Sequence, residues 1–148
     1  MLRIKYLSVS IVVVGCFVFF VSFCNGASNN GFKYNFSGWD SNHLRSSTIS
    51  FNLTEDGRIS GKQDVRPVCG NTMKLAGGQI TFSGYLTSSY PQVTGTFKGF
   101  TIFCSGRKEP ISGTMKMGYH PHYGVFIQLF SNGTGEEYYF RGAKNPFN

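Results

Sequence analysis

From about residue 30 onward the chain alternates between apolar and polar side chains. The clearest run is Thr48-Ile49-Ser50-Phe51-Asn52-Leu53; Glu55-Asp56-Gly57 interrupts it and Arg58 to Gln63 resumes it. Residues two apart share one face of a strand, and an Asp-Gly between two alternating runs marks a hairpin. Further strands are expected at Phe32 to Trp39, Gln79 to Leu86, Gln92 to Lys98, Phe100 to Cys104, Ile111 to Met117, Gly124 to Phe130 and Glu137 to Arg141. No stretch long enough for a helix after this point carries an apolar face of helical period. The pattern predicts an all-β fold of about eight short strands, a barrel or a sandwich.

A small motif chooses between the two. A large apolar residue, then Ser or Thr, then Gly recurs at Phe36-Ser37-Gly38, Ile59-Ser60-Gly61, Phe82-Ser83-Gly84, Val93-Thr94-Gly95 and Ile111-Ser112-Gly113. Glycine inside a strand allows a tight bend and close backbone approach, which a small closed barrel needs. Strands that follow one another along the chain pair most readily. The expectation is therefore an antiparallel up-and-down barrel.

The N-terminus sets the compartment. Arg3 and Lys5 precede an apolar run from Ile11 to Phe23, and the small residues Cys24 and Gly26 follow. This is the anatomy of a secretory signal peptide, with cleavage expected before Ala27. A retained signal anchor is the alternative, because Tyr6 to Cys24 is just long enough to cross a bilayer. The expected organisation is residues 1–26 as signal and 27–148 as one secreted domain, large enough for a real core and too small for two. The formal charge of +7 becomes +5 once Arg3 and Lys5 leave. The remaining cations are scattered without a basic run, which argues against a nucleic-acid tail.

Cysteine usage agrees with export. Cys16 and Cys24 leave with the signal, and Cys69 and Cys104 remain as an even count. Paired in an oxidising compartment, they close a loop worth about 4 kcal/mol of chain entropy. Sequons at Asn35, Asn52 and Asn132 are candidate glycan acceptors.

Read in order, the strands resemble the avidin and streptavidin family. Where that family's first strand runs Gly-x-Trp and then Asn, Leu and Ser, this chain reads Ser37-Gly38-Trp39 and then Asn42, Leu44 and Ser46. Its apolar-Thr-Gly strand after a Gly turn is matched by Gly57-Arg58-Ile59-Ser60-Gly61, and its Gly-Phe-Thr-Val by Gly99-Phe100-Thr101-Ile102. Ile111-Ser112-Gly113 and Ala143-Lys144-Asn145-Pro146-Phe147 complete the order, so the likeness covers about residues 37 to 147. The resemblance implies a secreted, non-enzymatic eight-stranded barrel that holds a biotin-like ligand at one end. It implies that Asn42, Ser46 and Asn145 meet a ureido group, with Gln63 standing where the family has Tyr. The family's tryptophan wall falls near Cys104, Gln128 and Glu137, and this chain's only Trp is Trp39. Each missing indole removes about 150–250 Å² of apolar contact, so tight biotin binding is not expected. Phe103, Phe126, Phe130, Tyr138 and Tyr139 are the remaining candidates for an apolar wall. The resemblance also implies possible homo-oligomers.

Catalytic and metal chemistry find little support. There is no Gly-x-Ser-x-Gly elbow and no phosphate loop. His120, His122, Lys116 and Glu137 are the residue types of a phosphodiester-cleaving site, but such residues occur in almost any chain of this size. His120-Pro121-His122 lacks the carboxylate a His-x-His metal site would want, so a hairpin tip with exposed aromatics is expected. No cofactor is called for. Two function classes remain: a small-ligand barrel, and a secreted interaction or defence protein that binds a protein or glycan through its outer loops.

Overall fold

A computed structural model describes residues 31–148; the expected signal segment 1–26, with Cys16 and Cys24, lies outside the described residues. Ten strands follow in order: β1 Gly31–Asp40, β2 Ser46–Thr54, β3 Arg58–Val65, β4 Val68–Cys69, β5 Lys74–Leu75, β6 Gly77–Leu86, β7 Val93–Ile102, β8 Lys108–His120, β9 Gly124–Ser131 and β10 Thr134–Phe140. Eight of them close a barrel in the order β1-β2-β3-β6-β7-β8-β9-β10, and β4 with β5 forms a small hairpin within the β3–β6 connection. Every barrel pairing is antiparallel, and sequence neighbours pair as the alternation requires. The eight-stranded antiparallel up-and-down barrel is thus the fold, and the described residues contain no helix.

Two sequence expectations change. Val93 to Lys98 and Phe100 to Ile102 are one strand, β7, whose ladders to β6 and β8 run unbroken through Gly99, and Gln92, Phe103 and Cys104 fall outside it. The β4–β5 hairpin was not expected; two-residue strands carry no periodic signal. All five glycines of the recurring motif lie on barrel strands, as expected. Between β6 and β7, Gly84 faces Gly95, and a methyl group on either would overlap backbone of the opposite strand.

Inward positions form the core: Ile49, Phe51 and Leu53 from β2, Ile59 from β3, Phe82 from β6, Val93 and Phe97 from β7, Met115 and Met117 from β8, Val125 and Ile127 from β9, Tyr138 and Phe140 from β10. The β1–β2 turn, the β3–β6 connection, the β7–β8 loop and the β9–β10 turn gather at one end, called here the upper end. The other turns and the C-terminal tail gather at the lower end. Closure is narrow, since β1 meets β10 only through Trp39↔Tyr139 and Asp40↔Tyr138. Past this seam the tail returns against the core, and Phe147 stacks on Phe51 with ring centroids 6.2 Å apart.

The disulfide joins Cys69 to Cys104, with Cα atoms 5.5 Å apart. It ties the β4–β5 hairpin to the β7–β8 loop and so fixes two of the four connections around the upper rim.

Candidate functional site

A cavity of about 100 Å³ opens at the upper end. Apolar walls come from Ile80, Phe97, Ile111 and Leu129, and the polar groups from Arg45, Gln63, Glu136 and Tyr138. Strand parity explains this mixture. Ile49, Phe51 and Leu53 face inward, so Ser47 on the same face of β2 does also; Gln63 shares parity with Ile59 and Val65, and Glu136 with Tyr138 and Phe140.

Gln63 is 1% exposed. Its Nε2 donates to Ser47 Oγ at 2.9 Å, and its Oε1 is buried without a partner among the described residues. Such an orphan costs about 1–3 kcal/mol unless something from outside the chain satisfies it. Turning the amide over would only exchange an unpaired acceptor for an unpaired donor.

Beside it stands an ion network. Asp40 Oδ1 accepts from the amides of Leu44 at 2.7 Å and Arg45 at 3.2 Å, and its Oδ2 accepts from Arg45 Nε at 2.9 Å. Arg45 Nη1 donates to the Ala76 carbonyl at 3.0 Å and to Glu136 Oε1 at 3.2 Å. Its guanidinium carbon lies 5.6 Å from the centroid of the Tyr138 ring, and the Tyr138 hydroxyl donates to Glu136 Oε2. Arg45 Nη2 makes no hydrogen bond among the described residues, leaving a cationic donor free. Burial opposes ionisation of Asp40, but Arg45 and the two amides outweigh it and hold the carboxyl below its usual range. Burial, reinforced by Glu136, pushes the Tyr138 phenol far up, so it stays a neutral donor.

The four residues expected to converge on a ligand are separated. Gln63 lines the cavity. Asn42 sits exposed in the β1–β2 turn at the same end. Ser46 begins β2 but points outward beside Trp39, because the inward residue is Ser47. Asn145 is not brought to this end. The first and last strands do pair, but an eight-stranded meander ends antiparallel to its start, so the tail leaves at the lower end. There Asn145 Oδ1 accepts from the Phe147 amide at 3.0 Å.

Of the candidate wall residues, Tyr138 alone lies inside. Phe126, Phe130 and Tyr139 have outward parity on β9 and β10, and Phe103 lies in the rim loop beneath Arg107. His120, Pro121, His122 and Tyr123 form the β8–β9 hairpin tip, with the His122 amide donating to His120 Nδ1 at 3.2 Å. Outside the barrel, Tyr123 lies 5.2 Å from Tyr139 and 4.8 Å from His120 between ring centroids, and Trp39 is 49% exposed beside Tyr139. Burial, then the Glu137 carboxylate, pushes the Tyr139 phenol up to about 12. Asn35 and Asn52 point outward from β1 and β2, and Asn132 sits with Gly133 at the tip of the β9–β10 turn, all exposed.

Asp40, Arg45, Ser47 and Glu136 escaped the sequence reading, which names Tyr138 only as a candidate wall residue. Parity alone would have found Ser47 and Glu136 and chosen Tyr138 over Tyr139. In comparisons with protein-family models, curated proteins and solved structures, none matches this chain.

Proposed function

We propose that this chain is a non-enzymatic, avidin-like binding protein that takes the polar head of a small ligand into the upper end of its barrel. The single observation behind this reading is the buried, unpartnered Oε1 of Gln63, a residue that lines the cavity together with Arg45. A ureido head has the matching chemistry, an N–H for the Gln63 acceptor and a carbonyl oxygen for the free nitrogen of Arg45. The cavity, at about 100 Å³, is well below the roughly 300–1,000 Å³ of sites that engulf a drug-sized ligand. The head enters and the rest of the ligand stays in the mouth. Without an indole wall, biotin itself binds weakly, at micromolar affinity or poorer. The domain works outside the cell after signal cleavage, in keeping with its disulfide, and carries glycans on one or more of Asn35, Asn52 and Asn132.

Calorimetry with biotin and with 2-imidazolidinone, its bare cyclic urea, tests the reading. The expected result is weak exothermic binding of both, lost in Gln63→Leu with the fold retained. No heat from either ligand would remove the small-ligand reading. The second reading, a secreted interaction or defence protein, is favoured by the outer patch of Trp39, Tyr123 and Tyr139, and would then stand.

A further inference from the structure

The outer face of β3, β6, β7 and β8 is uncovered by any other described element, and it is hollowed into an open groove of about 840 Å³. Register places Lys62, Thr81, Lys98 and Ser112 in a single row across these four strands. The next row toward the upper end carries Asp64 and Phe100, whose ring is 48% exposed. The ion pairs of the described residues are made by Arg45, Arg58 and Arg107, so neither lysine is neutralised by a carboxylate. Asp64 is the one acid lining the groove.

We infer that this groove binds a strand of acidic polysaccharide. Lys62 and Lys98 are two strands apart, so their backbones stand about 10 Å from each other. Drawing both ammonium groups onto one small anion sets like charges together, whereas an extended polyanion with a charge on successive sugar units engages each in place. Thr81 and Ser112 offer hydroxyls along the same line for sugar oxygens, and Phe100 offers a ring face to a pyranose. A nucleic acid would want several stacking rings and forked guanidinium contacts; the groove has one ring and no Arg. The inference does not rest on the barrel-end reading, but the two sites adjoin: Ile80, Phe100 and Ile111 line both the cavity and the groove.

The test uses the full secreted chain with a fluorescent heparin octasaccharide, an oligogalacturonate, the single-stranded DNA (dT)8 and neutral maltooctaose. The expected result is binding of one or both acidic glycans, weakening with salt as about two counterions are released. Lys62→Gln with Lys98→Gln should weaken it roughly tenfold, while the off-groove pair Lys74→Gln with Lys144→Gln stays within about twofold of wild type. Asp64→Asn should tighten binding and Phe100→Ala weaken it. Bound glycan should also shield Lys62 and Lys98 from amine acetylation, a readout that needs no variant. No glycan binding, equal losses from the two lysine pairs, or (dT)8 bound as tightly as the glycans would each overturn the inference.

Discussion

At the lower end of the barrel Tyr34, Phe51 and Phe147 pack ring against ring, while at the upper end the inward positions hold Asp40, Ser47, Gln63 and Glu136. Both ends belong to one closed sheet with the same alternation. They differ in what fills them. The lower end is closed by the chain itself, whose C-terminal tail returns against the core. The upper end is braced instead by a disulfide between rim loops and by Arg45 bridging Asp40, Glu136 and the Ala76 carbonyl. A plug of rings leaves no polar group wanting a partner, whereas a brace of ions holds loops apart and can leave one. The orphan acceptor of Gln63 is at the braced end.

The sharpest break of this contrast is Arg45→Met. It strands the Asp40 carboxylate, whose side chain is 4% exposed, without its cation. Losing one partner of such a pair costs about 3 kcal/mol or more, read as a lowered denaturant midpoint, with the upper rim opening first in amide exchange. Acid should act on the same end. The Asp40 carboxyl is held below its ordinary 3.8, so its contribution is present above that pH and is lost as pH falls through the lower folded value. Asp40→Asn should lower stability near neutrality and flatten its decline below about pH 4. An unchanged acid slope would show that the brace does not control this end.

Phe147→Ala probes the plug. The ring is half-buried against Phe51, so the loss should be near 2 kcal/mol, less than for a fully buried Phe. Ligand binding at the upper end should be unchanged. A matching loss of binding would mean that the two ends are coupled through the barrel.

These two regions also explain what the sequence made legible. Period-two alternation and the Asp56-Gly57 turn led to the barrel because strand parity is a local property, and an even cysteine count after the expected signal segment led to Cys69–Cys104. The site was harder to read. Ser46 and Ser47 are adjacent and chemically identical, and only the parity of Ile49 and Phe51 says which one points inward. The resemblance puts Asn145 with Asn42 on one ligand, but the end of the barrel at which the last strand finishes depends on the strand count. The Arg45 brace joins β1, β6 and β10 neighbours far apart in sequence, and no local pattern marks it.

The smallest stability effect should come from Gln63→Met, and its sign carries the argument. The substitution keeps nearly the same volume, removes the buried orphan oxygen and gives up the bond from Nε2 to Ser47 Oγ. Removing the orphan oxygen gains about what the Ser47 hydroxyl, 2% exposed and now without its partner, costs, so stability should change by less than about 1 kcal/mol. A core glutamine retained only for structure would instead show the loss usual for breaking a buried network. If Met at this position is neutral or stabilising, the amide is dispensable to the fold. Weak urea binding that disappears in the same variant would then assign its polar group to a ligand. A loss of several kcal/mol would make Gln63 a strut like Arg45 and erase the difference between the braced end and its site.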